Sequence, residues 1–288
     1  MRVTNSMMVQ SAIQGMRARL ADLSRAQGRA MNLHRINLMS DDPVAAGELS
    51  GIQSSQRDVT QFLRNATGAR TRLNVEDSVL TSMRSLIQQA REVASNVAGL
   101  SPVDPERQRA LTQLSELQKQ LVSLGNTKVG DQYIFGGTMT TVPPFQADGT
   151  YVGNSAEQTV QLDEGTYAAS VHTGDHSIGG ALLAFTALQA SVATETSSEI
   201  ELSVSNLQSY GDQLLSDQAD VGVRLQVLKD SDTRLAQRST LNLTRRDSID
   251  ALDPAEALVT LQTAQTSLER AYAVVSRVLQ TNILDFLK

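Results

Sequence analysis

The sequence predicts a mainly α protein: an elongated antiparallel helical rod with paired N- and C-terminal coiled-coil helices and a small β-rich inserted domain. Three observations carry this expectation. Apolar residues recur at alternating three- and four-residue intervals at both ends of the chain, which sets each group on one helical seam. The same periodicity runs for tens of residues through the interior. Between the interior runs lies a segment with a different composition, where 10 of the 18 glycines and half the aromatic residues fall between residues 125 and 180.

The N-terminal seam is Ile13, Met16, Leu20 and Leu23. Its counterpart is Leu258, Leu261, Gln265, Leu268, Tyr272, Val275 and Leu279, in a stretch with neither glycine nor proline from Ala255 to Lys288. Matched seams at the two ends imply termini that pair and assemble rather than fray. Ile13, Met16, Leu20 and Leu23, with Leu268, Val275, Leu279, Ile283 and Phe286, are therefore the candidate subunit-contact residues. Gln27, His34 and Asn37 interrupt the first stripe with polar groups, so both ends are expected to be poorly ordered in a lone molecule and to gain helix on assembly. Met7, Met8, Met16 and Met31 read as adaptable packing residues.

Three Asp-Pro pairs punctuate the chain: Asp42-Pro43, Asp104-Pro105 and Asp253-Pro254. Each sets an N-capping carboxylate before a proline at the first helical position, where the missing N–H has no helical partner to lose. Glu256, three residues after Asp253, suggests a capping box there. After Pro43 a seam continues through Leu49, Ile52, Gln56, Val59, Leu63, Ala66, Leu73, Leu80, Met83, Ile87, Ala90, Ala94 and Val97, with Ala69 and Glu76 in intermediate seam positions. At 1.5 Å per residue a helix of roughly 50 residues is about 75 Å long and needs long partners. Leu111, Leu114, Gln118 and Leu121 supply a shorter partner; Leu207, Leu214, Val221, Leu225, Leu228 and Leu235 supply a long one.

Within the glycine-rich segment, Thr159 to Leu162 and Thr166 to Val171 alternate around an Asp163-Glu164-Gly165 turn and read as a hairpin. The chain thus divides into a terminal helix over 1–41, a first rod segment over 42–135, a β-rich insert over 136–180, a second rod segment over 181–252 and a terminal helix over 253–288. Joined at glycine-rich edges, the insert is expected to share few contacts with the helices.

Composition excludes several functions. A net charge of −6 and a pI near 5.2 do not suit general nucleic-acid binding, which needs clustered cations. Residues 1–40 hold six arginines and one acid, about +5, leaving about −11 for the remainder. An arginine-rich start mimics a transit peptide, but a disposable presequence needs no seam at the opposite end. No stretch is read as a signal peptide or membrane span, so any export uses a route without a cleaved signal, and no membrane insertion is expected. The chain has no cysteine, which removes disulfides, thiolate metal sites and cysteine nucleophiles.

His172, Asp175 and His176 form the one metal-like cluster, in a glycine-flanked loop with too few donors for zinc. They read as structural or solvated residues, and no metal or other cofactor is expected. Gly136-Gly137 and Gly179-Gly180 lack the Lys-Ser or Lys-Thr of a phosphate loop. No Gly-x-Ser-x-Gly elbow occurs. The chain is read as a structural protein, not an enzyme, with no catalytic residues.

The opening Met1-Arg2-Val3-Thr4-Asn5-Ser6-Met7-Met8, Asn37-Leu38-Met39-Ser40-Asp41-Asp42-Pro43-Val44-Ala45-Ala46 and Glu76-Asp77-Ser78-Val79-Leu80 then fall into an ordered series with later motifs. These are Tyr133-Ile134-Phe135-Gly136-Gly137-Thr138, Pro144-Phe145, Tyr151-Val152-Gly153 and His172-Thr173-Gly174-Asp175. Ala271-Tyr272-Ala273, Ser276-Arg277 and Ile283-Leu284-Asp285-Phe286-Leu287 complete it. In order and spacing the series resembles the flagellin-like family of flagellar hook–filament junction proteins, over essentially the whole chain. It departs at Ser248-Ile249-Asp250-Ala251-Leu252-Asp253, which lacks a paired Glu-Asp, and in its short insert. The resemblance implies an extracellular adaptor ring, passed through the flagellar export apparatus with an export chaperone. Its partners would be further copies of itself, the first hook-associated protein and flagellin. A flagellin filament subunit is the alternative within the same fold, disfavoured by the Tyr133-to-Phe145 segment and the Met1-Arg2 opening; a metal-dependent enzyme at His172 and His176 is the alternative outside it.

Overall fold

A computed structural model describes residues 5–194 and 196–286. Among them the order is α1 (Asn5–Asn32), α2 (Pro43–Val97), α3 (Pro105–Gly125), β1 (Lys128–Val129), β2 (Gln132–Tyr133), β3 (Thr159–Asp163), β4 (Thr166–Ala169), a π-helical turn (Asp175–Gly179), α4 (Gly180–Thr194), α5 (Ser197–Asp250) and α6 (Pro254–Phe286). The fold is mainly α, as expected. Its contacts divide it into two compact units, one of Met1–Asp58 with Arg238–Lys288, the other of Val59–Gln237.

All three Asp-Pro pairs start helices. Asp42 Oδ1 accepts from the Ala45 N–H at 3.1 Å, Asp104 Oδ1 from Glu106 at 2.8 Å and Asp253 Oδ1 from Ala255 at 2.7 Å. Each carboxylate satisfies a donor that the first turn leaves without a helical acceptor. A capping arrangement with a glutamate opens α5, where Glu199 accepts from both the backbone N–H and the hydroxyl of Thr196.

In the first unit α1 packs on α6. The end of α1 meets the start of α6, with the Leu252 N–H donating to the Leu33 carbonyl at 3.1 Å, so the two helices run antiparallel. The helix ends earlier than the 1–41 segment anticipates. Leu33 adopts a left-handed φ of 56°, so His34 and Asn37 lie beyond the helix rather than in its stripe. The buried Asp250 holds this turn: its carboxylate accepts from the Ile36 N–H at 2.9 Å and pairs with His34 Nδ1 at 2.5 Å.

The second unit is a continuous core of α2, α3, α4, α5 and the insert. On α5, Ile200, Leu207, Leu214, Val221, Leu228 and Leu235 recur every seven residues, and none is more than 1% exposed. On α2, Val59, Ala66, Leu73, Leu80, Ile87 and Ala94 keep the same interval and are buried. The two helices are antiparallel here: Arg70 pairs with Asp232, while Gln218 donates to Asp77 and Thr81.

The expected hairpin forms, with Thr159 paired to Ala169 and Gln161 to Tyr167, and Gly165 in the turn at φ 71°. A smaller hairpin, β1–β2, falls before residue 136. The expectation of few contacts between insert and helices is overturned. Phe145, Leu162, Val171 and Ile178 are buried in the same cluster as Leu80, Leu121 and Leu214. With no tryptophan in the chain, these few large side chains are used to fill the core shared with the helices rather than a separate one. The reading that no stretch has membrane-span character is also corrected. Asp175–Thr194 has that length and hydropathy; its Phe185, Leu188 and Val192 are buried in the core, which accounts for the composition.

Candidate functional site

The terminal helices carry the candidate contact residues. Ile13, Met16 and Leu23 are half-buried on α1, Leu268 is buried and Val275 half-buried on α6. Leu20 differs from its seam reading: it is 53% exposed. The side chains of Leu279, Ile283 and Phe286 lie outside the described ones. The seam that α6 buries is Ala257, Leu261, Ala264, Leu268, Ala271 and Val275, in strict four-three alternation. Leu258, Gln265 and Tyr272, read as alternate seam positions, are exposed. The physical reason is close approach: alanines at every seventh position let two helix backbones come near, which rotates the buried face away from the larger side chains. Ala26 does the same on α1. The seven-residue spacing of Ala257, Ala264 and Ala271 was a signal that weighting by side-chain size missed.

Packing of α1 on α6 leaves a second set of apolar side chains in water. Leu20, Met31, Leu258, Val259, Tyr272 and Val274 are all more than half exposed. Single exposed apolar residues are ordinary; these six lie on the two helices that carry the candidate contact residues.

The chemical groups gather elsewhere, in the second unit. His172 reaches back to Glu76, a buried acid on the α2 seam: His172 Nδ1 lies 2.7 Å from Glu76 Oε1, which also accepts the His172 backbone N–H at 3.1 Å. His172 Nε2 is 3.0 Å from Asp220 Oδ2 and 3.2 Å from Arg224 Nη2. Arg224 in turn donates to Asp220 at 2.6 Å and to Glu157 at 3.3 Å. His176, in the π-helical turn rather than a loop, stacks on His172 at 5.6 Å and faces Asp217 at 3.3 Å. Burial would lower the His172 pKa, but the hydrogen bond and charge of Glu76 hold it above the ordinary histidine value. Burial also lifts Glu76, against the pull of His172 and Arg224. Both directions mean that the pair keeps its shared proton to higher pH.

Asp175, the third member of the expected metal-like trio, accepts from Ser155 at 2.5 Å instead of joining the two imidazoles. Among the described residues no group of three or more histidine or acidic side chains could hold a metal ion. Tyr151 donates to the Phe135 and Asn154 carbonyls at 3.1 and 2.8 Å. Burial pushes its pKa to about 12, so it stays a neutral donor. These contacts tie elements of the second unit together.

Residues 3–140 match the bacterial flagellin N-terminal helical region. Over that stretch, which takes in α1, α2 and α3, the chain is similar to the flagellin-type helical region. It is also 30% identical to flagellar hook-associated protein 3 of Escherichia coli K12 over 177 residues, 61% of this chain and 56% of that protein. The same protein of Salmonella typhimurium LT2 is 30% identical over 176 residues. The chain thus spans little more than half the length of these curated relatives. Among solved structures, FlgL of Bacillus cereus superposes with a TM-score of 0.59 at 19% identity, covering 68% of this chain and 99% of that one. Hook-associated protein 3 of Legionella pneumophila gives 0.59 at 13%, covering 69% and 98%. At these identities the superpositions establish the fold. The resemblance to the flagellin-like hook-associated proteins read from the ordered motifs is borne out, and so is the non-enzymatic reading, since the relatives are flagellar hook-associated proteins.

Proposed function

We propose that the chain is a structural subunit of the bacterial flagellum, a junction adaptor that connects the hook, through the first hook-associated protein, to the flagellin filament. In this role it is required for filament assembly and motility. The observation that carries the reading is the exposed apolar set on the paired terminal helices: Leu20, Met31, Leu258, Val259, Tyr272 and Val274 remain in water after α1 and α6 have packed. At about 25 cal/mol per Å², a few hundred Å² of such surface covered by neighbouring subunits contributes several kcal/mol per contact. The similarity to hook-associated protein 3 supplies the setting. Further copies in a ring, the first hook-associated protein and flagellin cover the terminal helices. The export apparatus and an export chaperone handle the chain on its way out of the cell.

Immunolabelling of intact flagella tests the role. The junction reading expects label confined to a narrow zone between hook and filament, and filament loss when the gene is deleted. Label along the whole filament would make the chain a flagellin and overturn the junction reading.

A further inference from the structure

Three parts of the second unit meet at His172: α2 through Glu76, α5 through Asp220 and Arg224, and the insert, whose chain carries His172 itself. Nδ1 has one partner, Glu76 Oε1 at 2.7 Å. Nε2 has two of opposite character, the Asp220 carboxylate at 3.0 Å and the Arg224 guanidinium at 3.2 Å. A ring nitrogen donates to a carboxylate when it carries a proton and accepts from a guanidinium when it does not. It cannot do both.

We propose that His172 is a proton-operated clasp that fastens the insert to α2 and α5. As an imidazolium it bridges Glu76 and Asp220. As a neutral ring protonated at Nδ1 it keeps Glu76 and turns its bare Nε2 to Arg224.

The charges facing the ring set which state holds the insert more firmly. From α2 comes Glu76; from α5, Asp217, Asp220 and Arg224; from the segment before β3, Glu157, paired with Arg224; from the insert's own chain, His176, while Asp175 is turned to Ser155. Acids outnumber the guanidinium. Asp217 is 3% exposed, with Oδ1 held by Gln213 at 2.8 Å and facing His176 at 3.3 Å, so the imidazolium adds a favourable charge near a buried acid. When the ring loses its proton, the buried Glu76 and Asp217 face a neutral neighbour. The same groups hold the strand that leaves β4: Glu76 accepts the His172 N–H at 3.1 Å and Arg224 donates to the Ser170 carbonyl at 3.4 Å. Weakening them loosens residues 170–173. The folded state binds the proton more tightly than the unfolded chain, so the hold is complete below the ordinary histidine value of 6.5 and is lost as pH rises through the higher folded value. The clasp grips at neutral pH and slackens in alkali.

The test uses the full chain. Ring ¹⁵N shifts of His172 and the hydrogen-exchange protection of the Ser170 and His172 amides, corrected for intrinsic rates, are followed from about pH 6 to about pH 9. The expected result is an imidazolium at the acid end and an Nδ1–H tautomer at the alkaline end. Protection of these two amides is lost in step, while core amides such as that of Leu214 do not change. Asp220→Asn, which removes the imidazolium's second partner, moves the transition to lower pH. His172→Gln abolishes it. A ring that titrates while both amides keep their protection overturns the clasp, as does a neutral ring protonated at Nε2. If His172→Gln does not fold, the wild-type titration and Asp220→Asn decide the question alone.

Discussion

Asn126 and Phe145 exchange two hydrogen bonds: the Asn126 side-chain amide donates to the Phe145 carbonyl at 2.9 Å, and the Phe145 N–H returns to Asn126 Oδ1 at 3.0 Å. Asn126 caps the end of α3, so this exchange fixes the buried Phe145 ring of the insert against the helical core. Gly125 and Gly174 flank that ring, and a Cβ on either would stand 2.7 or 2.8 Å from its carbons. Deleting residues 137–179 should therefore abolish cooperative melting of the second unit, because it strips Phe145, Leu162 and Val171 from a shared core. Gly174→Ala should cost about 1–3 kcal/mol through overpacking. Chemical denaturation followed by circular dichroism checks both. Unchanged melting of the deletion variant would show that the insert folds apart from the helices.

Adjacent leucines on α5 give a sharper contrast. Leu214 is fully buried and Leu215 is 49% exposed. Leu214→Ala should destabilise by about 2–5 kcal/mol, while Leu215→Ala should stay within about 0.5 kcal/mol of the parent. Urea midpoints measure the difference, and equal midpoints would refute the seven-residue seam.

The N-terminus of α2 should depend on acid. Asp42 lies below its ordinary value of 3.8, first because it accepts the Ala45 N–H and also because Arg35 pairs with it. A depressed folded pKa contributes stability that is present above 3.8 and is lost as pH falls through the folded value. Amides 45 and 46 should lose protection on acidification in the parent. In Asp42→Asn, which still caps but does not titrate, that acid-dependent loss should be absent.

Chelators should not matter. Both nitrogens of His172 already have partners within the protein, and Asp175 is turned to Ser155. Thermal melting with and without excess chelator should coincide, and elemental analysis should find no stoichiometric zinc; a chelator-induced drop in Tm lost in His176→Ala would contradict this.

Much of the helical order was legible because a strict period leaves few alternatives. Asp-Pro punctuation and the Leu207-to-Leu235 repeat locate elements whose burial follows directly from spacing. The turn at Gly165 is legible for the same reason, since turn chemistry is local. The rotation of the α6 seam toward Ala257, Ala264 and Ala271 was not, because how closely two backbones approach depends on the partner helix. Nor was the Glu76–His172 contact, which joins residues 96 positions apart; sequence alone shows an acid on an apolar stripe and a histidine near glycines. Burial of the insert was misjudged because glycine-rich edges mark turns, and turns do not reveal whether the segment between them faces water.

Incorporation of a Val259→Asp, Val274→Asp double variant into flagella tests most directly whether the outward face of the terminal helices is the assembly surface. Both side chains are exposed in the isolated chain, at 64% and 59%, so the variant should be exported and should melt like the parent. It should be missing from purified flagella, and cells carrying only the variant should not swim. Parent levels of the variant in purified flagella, with normal swimming, would contradict an assembly role for that face.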